Sequence, residues 1–135
     1  MRGALRTGSV LSILTGTLHL IAHFRGPQPA TDAERALLEL MARVRFDAGG
    51  VERSTMDILV GYSFSFSTLF FMIGIHGLRL AATDDARVRR EAALVYAGTS
   101  AVLTGLGLLY FPTPPIVLTA LMFVAYCVAA ARART

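Results

Sequence analysis

Four stretches of this chain, residues 4–24, 56–80, 92–111 and 115–131, are strongly apolar and carry few charges. Each is about as long as a helix must be to cross the hydrocarbon core of a bilayer, roughly 17–25 residues. Nothing else in the sequence constrains the fold as tightly. In lipid every backbone polar group must find its partner inside the segment, so a span of this length is a helix. The alternation Tyr62-Ser63-Phe64-Ser65-Phe66-Ser67 looks like a β-strand. It lies inside a much longer apolar run, however, and a lone strand in lipid would leave its backbone unpaired. The expected fold is an all-α membrane protein, a single domain over residues 1–135, built as an antiparallel four-helix transmembrane bundle. Apolar residues make up 54% of the chain, which a soluble domain of this size seldom reaches.

The segments between the spans set the topology. Pro27 and Pro29 stop the first helix, and Pro112-Thr113-Pro114-Pro115 joins spans three and four, where prolines suit a helix start. The one sizeable loop lies between spans one and two. Thr31-Asp32-Ala33-Glu34 has capping-box spacing. Leu37, Leu38, Met41 and Val44 then recur on one face, with Glu34, Arg35, Glu39 and Arg43 largely opposite. Residues 31–46 are expected to form a short amphipathic helix on the membrane surface, ended by Asp47-Ala48-Gly49-Gly50. The N-terminal Met1-Arg2-Gly3-Ala4-Leu5-Arg6 resembles the start of a signal peptide. His19 and His23 stand where a small-residue cleavage site would follow, so the segment is expected to remain a span.

All thirteen basic residues are arginine, giving a net charge of +4. They gather at the ends of the apolar runs, which orients membrane helices and argues against nucleic-acid binding. Arg2, Arg6, Arg79, Arg87, Arg89, Arg90, Arg132 and Arg134 fall at one end. Arg25, Arg35, Arg43, Arg45 and Arg53 fall at the other. The positive-inside rule then expects a multi-pass protein of a bacterial cytoplasmic (inner) membrane with both termini in the cytoplasm. The single cysteine, Cys127, excludes an internal disulfide or a dithiol relay.

Chemistry concentrates at the outer end. His19 and His23 share one face of span one, about 7.5 Å and 1.5 Å inside its end. Asp57 opens span two at the same level, and Tyr62 lies about 7.5 Å further in. His19, His23 and Asp57, with Tyr62 near by, are the candidate ligand-binding residues. The first three have the residue types of a metal site. A metal ion, haem, quinone or lipid would each suit the histidine pair. The competing expectation is structural: His19 bonds within the bundle, His23 sits among headgroups, and Asp57 completes a helix start capped by Ser54 or Thr55. His76 is roughly 20 Å away along the membrane normal and is assigned to the inner interface.

Gly8, Thr15 and Gly16 lighten the face of span one that carries the histidines, which turns that face toward the bundle. Ala93, Ala97, Ala101 and Gly105 form a small-residue stripe on span three, a candidate packing or homo-oligomer face. Phe64, Phe66, Phe70 and Phe71 are expected to fill the core or meet lipid. No Ser-His-Asp set at common depth, phosphate loop or paired intramembrane carboxylate argues for an enzyme. Four-span multidrug exporters carry a glutamate in a first span of similar length, and this first span has no acid. The loop asparagine of the small trimeric membrane glutathione enzymes has no counterpart here, because the chain contains no asparagine. The expected function is therefore ligand, lipid or metal binding at the outer end. An oligomeric transporter subunit and an assembly partner without chemistry are the alternatives.

Several short motifs, spread over most of the chain, resemble a family of small bacterial four-span membrane proteins of unknown function. They are Thr15-Gly16 with His19, His23 and Phe24; Glu34 through Met41; Arg53-Ser54 with Asp57, Gly61 and Ser63; and Phe111-Pro112-Thr113-Pro114-Pro115. The resemblance implies the four-span architecture and brings no activity and no functional residue.

Overall fold

A computed structural model of the chain describes residues 1–132. The elements follow as α1 (Arg2–Arg25), α2 (Asp32–Arg43), β1 (Arg45–Asp47), β2 (Glu52–Ser54), α3 (Thr55–Ala82), α4 (Ala86–Tyr110) and α5 (Thr113–Ala131). Helices α1, α3, α4 and α5 are long and apolar enough to cross a membrane. Arg134 lies outside the described residues.

Helix α4 begins six residues before the expected span. Asp85 caps it, its carboxylate accepting from the amides of Arg87 (2.8 Å) and Val88 (3.1 Å). A charged first turn is as helical as an apolar one but carries no hydropathy signal.

Helix α1 is the central element, packed along both α3 and α5, while α4 leans on α5 and touches α3 at few points. The contacts fix the directions. Ser9 of α1 meets Gly77 of α3, Gly16 meets Phe70, and His23 meets Phe64, so α1 and α3 are antiparallel. Tyr126 of α5 lies against Gly8 of α1 and Tyr96 of α4, and Ile116 lies against Gly107, which makes α5 antiparallel to both.

Small residues allow these helices to approach. A β-carbon on Gly16 would lie 3.1 Å from both the Ser67 carbonyl oxygen and Phe70 Cβ; on Gly8 it would lie 2.5–2.8 Å from the Tyr126 ring. Small residues at these contacts let the helix backbones pack closely. Leu5, Phe70, Met122 and Tyr126 fill the centre. The buried hydroxyls mostly bond locally, as Ser9 Oγ does to the Leu5 carbonyl (2.8 Å). Ser12 Oγ instead crosses to the Phe70 carbonyl at 3.0 Å and ties α1 to α3.

One expectation is corrected. Helix α2 ends at Arg43 and not at residue 46, and residues 45–54 form an antiparallel hairpin pairing Arg45 with Ser54 and Asp47 with Glu52. Gly49 and Gly50 hold φ of 75° and 86°, and Asp47 Oδ1 accepts from the Gly50 amide at 2.5 Å. That turn reverses the chain, so the pairing of Arg45–Asp47 outcompetes a further helical turn. The small-residue stripe of α4 is only half used within the chain. Ala93 and Ala97 are buried inside the chain, whereas Ala101 and Gly105 are exposed. Steps of four advance by about 40° each, so over twelve residues the stripe turns roughly 120° off the contact line. The buried line runs instead through Ala93, Ala97, Ser100 and Gly107.

Candidate functional site

Spacing by four puts His19 and His23 on one side of α1, and the buried Gly16 beneath them sets that side against α3. Both imidazoles meet phenylalanines. His19 is 5.1 Å from the Phe66 ring, and His23 is edge-on to Phe64 at 4.8 Å and to Phe24 at 5.7 Å. Phe66 continues inward to Phe70 at 4.7 Å and across to Phe111 at 6.2 Å. These separations suit attractive ring pairs. The histidine end of α1 is thus lined with aromatic rings that run from the surface into the core.

Two features of the pair go beyond packing. Among the described residues His19 Nε2 is buried without a hydrogen-bond partner, a condition it shares with Ser67 Oγ, Arg89 Nε, Arg90 Nε and the Tyr126 hydroxyl. Buried polar atoms are nearly always bonded, so an orphan of this kind calls for an explanation. One turn nearer the surface, His23 lines a cavity of about 350 Å³. The end of α1 contributes Ala22, Gly26 and Pro27; α2 contributes Leu38 and Met41; α3 contributes Met56, Leu59, Val60 and Ser63. The wall is apolar apart from His23 and Ser63.

Helix α2 forms one wall of this half-open cavity, and its start is well defined. Thr31 Oγ1 accepts from the Glu34 amide at 3.2 Å, and Glu34 Oε2 accepts from the Ala30 amide at 2.6 Å. The second arm therefore reaches one residue earlier than in a complete capping box. Leu38 and Met41 turn to the cavity, while Leu37, Leu40 and Val44 remain about half exposed.

Asp57 does not join the histidines. Its Oδ2 accepts from the Ser54 amide at 2.9 Å, and its own amide donates to Ser54 Oγ at 3.1 Å, a complete capping box that opens α3. Arg45 Nη2 lies 3.5 Å from the same carboxylate and ties the hairpin to the helix start. Ser54, not Thr55, is the cap. Among the described residues no group of three or more His, Cys, Asp or Glu side chains is gathered where one ion could be held, so His19, His23 and Asp57 are not brought together as ligands. Tyr62 is 69% exposed, and no hydrogen bond or ring contact joins it to either histidine. A carboxylate three residues into a helix is spent on its first amides, and Tyr62, five residues on, is turned about 140° around the helix from Asp57.

His76 is engaged elsewhere, its Nδ1 lying 2.7 Å from the Tyr96 hydroxyl across the sparse α3–α4 seam. The residues that sequence reasoning did not assign to the site are Phe64 and Phe66, read there as core or lipid-facing, and the cavity wall formed by Leu38, Met41 and Met56. The apolar face of residues 31–46 signalled that this helix would cover something, but not what. No protein-family model, curated protein or solved structure matches the chain.

Proposed function

We propose that this chain is a multi-pass protein of a bacterial cytoplasmic membrane, an antiparallel four-helix transmembrane bundle with both termini in the cytoplasm. On this reading it binds a small lipophilic molecule at its outer end. No more than 33% of the most apolar window of any of the four long helices is buried within the chain. Val10, Leu14, Leu69, Met72, Val95, Val102, Leu121 and Val124 face outward. Apolar surface on this scale is intolerable in water and ordinary against acyl chains. Helix α2, with Leu37, Leu40 and Val44 uncovered, would lie in the headgroup layer.

The observation that carries the ligand reading is the conjunction at the histidines: an apolar cavity with His23 in its wall and, one turn deeper, a buried imidazole nitrogen without a partner. The volume lies in the range of small-molecule sites, which pair apolar walls with a few polar groups. A flat molecule bearing a carbonyl or hydroxyl, of which a quinone is one class, would lie against the apolar wall of Leu38, Met41, Met56, Leu59 and Val60 and hydrogen-bond the His23 imidazole. A metal ion is a poorer fit, because the third donor is missing.

The test is copurification. Membranes holding the wild type and the His19→Ala/His23→Ala variant are solubilised, and organic extracts of the purified proteins are compared by mass spectrometry. A lipophilic compound stoichiometric with the wild type and depleted from the variant is expected. If the wild type carries nothing beyond a detergent blank, or the variant keeps the compound, the reading falls.

A second reading, an oligomeric subunit of a transporter or assembly, draws support from α4. Gly98, Ala101 and Gly105 are exposed, and neither glycine has an atom within 4 Å of where a β-carbon would sit. This lipid-side strip could seat a second helix.

A further inference from the structure

The end of the molecule that carries Arg2 and the α3–α4 turn is rich in arginine, and most of these groups are engaged. Arg2 pairs with Asp84. Arg87 Nε donates to Glu91 Oε1 at 2.8 Å. Arg89, largely buried, donates to the Thr83 carbonyl. Arg89 Nε and Arg90 Nε are both cut off from solvent without a partner among the described residues, but Arg90, unlike Arg89, makes no hydrogen bond or ion pair through its other nitrogens either.

Arg90 also stands where two concavities meet. One, of about 470 Å³, runs between α4 and α5 and is walled by Leu94, Ala97, Cys127, Ala130 and Ala131. The other, of about 460 Å³, lies along the first turns of α4 beside Ala86, Arg87 and Glu91. From Arg90 to Ala97 the apolar groove extends about 10 Å toward the middle of the helix. Among the described residues that line it, Arg90 at the mouth carries the one charge. Glu91 is paired with Arg87 at 2.8 Å, and no carboxylate lies within ion-pair distance of Arg90 among the described residues.

An unpaired guanidinium at the head of an apolar groove between two spans has the shape and charge of one occupant: a lipid with an anionic phosphate and an acyl chain. The planar fork of arginine matches phosphate oxygens, and basic pockets between spans at the positively charged end recruit anionic headgroups. We propose that the α4–α5 groove is a binding site for an anionic phospholipid, its phosphate on Arg90 and one acyl chain along Leu94, Ala97, Cys127 and Ala130. The site lies at the opposite end from the histidines. It shares with the proposed function only the reading of the long helices as membrane spans.

Cys127 gives a probe that needs no mutation, because it lines the groove and is the only cysteine. Its alkylation by N-ethylmaleimide is followed by intact mass in micelles doped with phosphatidylglycerol or with phosphatidylcholine. Phosphatidylglycerol is expected to slow the wild type about fivefold relative to phosphatidylcholine, the preference one arginine supports near an anionic lipid. Arg90→Gln is expected to abolish the difference and Arg90→Lys to retain part of it. Equal wild-type rates in the two lipids overturn the proposal, as does an Arg90→Gln protein that keeps the difference. The wild-type comparison decides the question even if a variant does not fold. Alkaline extraction of membranes tests the spans separately. A chain that resists extraction yet shows equal rates loses the lipid site and keeps its spans.

Discussion

Gly8 offers the sharpest test of how the long helices meet. A β-carbon added there would lie 2.5 Å from Tyr126 Cε1 and 2.8 Å from both Cδ1 and Cζ, where unstrained carbon contacts are about 3.5–4.0 Å. The ring must therefore retreat by about 1 Å. Tyr126 is fully buried beside Tyr96, with ring centroids 5.2 Å apart, so it has nowhere to go without moving a helix. Overpacking of this sort costs about 1–3 kcal/mol. Alanine recovers about 0.5–1 kcal/mol over glycine in a helix interior. Gly8→Ala should then lose about 0.5–2 kcal/mol, raising the unfolding constant roughly 2–30-fold. Gly105→Ala is the internal control. Nothing lies within 4 Å of its β-carbon, so only the gain of about 0.5–1 kcal/mol applies. Both variants can be measured by reversible unfolding in mixed micelles titrated with sodium dodecyl sulfate and followed by far-UV circular dichroism. Gly8→Ala combined with Tyr126→Leu should cost less than the sum of the single changes, because the smaller side chain makes the room. If Gly8→Ala is as stable as Gly105→Ala, the α1–α5 contact is not as described and the reasoning fails.

Asp57→Ala removes both arms of the α3 capping box and the contact with Arg45, and should lower stability by about 0.5–2 kcal/mol in the same assay. Any compound that copurifies with the wild type should stay bound; its loss from Asp57→Ala would return the carboxylate to the ligand site. If α4 seats a second copy through Gly98, Ala101 and Gly105, Gly105→Leu should convert a dimer to a monomer in light scattering without lowering monomer stability. A wild type that is monomeric at every concentration removes the self-association reading.

Some parts of this protein could be read because they depend on neighbours in the chain. The four long helices follow from apolar runs with no competing way to satisfy a backbone. The cap at Thr31 is a matter of three residues, and the shared face of His19 and His23 follows from helical pitch. Other parts could not be read. The hairpin of residues 45–54 rests on two three-residue strands, too short for alternation to register. The chemistry of Asp57 was ambiguous, since a carboxylate at the third position of a helix looks alike as cap or ligand until its partners are known.

The sequence by itself determined where the four long apolar helices lie, because hydropathy, caps and turn residues act over a few residues. Only the tertiary structure decided who meets whom. It seated α1 between α3 and α5, turned half of the α4 stripe outward, spent Asp57 on Ser54 and Arg45, and set Phe64 and Phe66 against the histidines. Those outcomes depend on how far a helix rotates before it meets its neighbour. That rotation accumulates at about 100° per residue and is settled by contacts from distant parts of the chain.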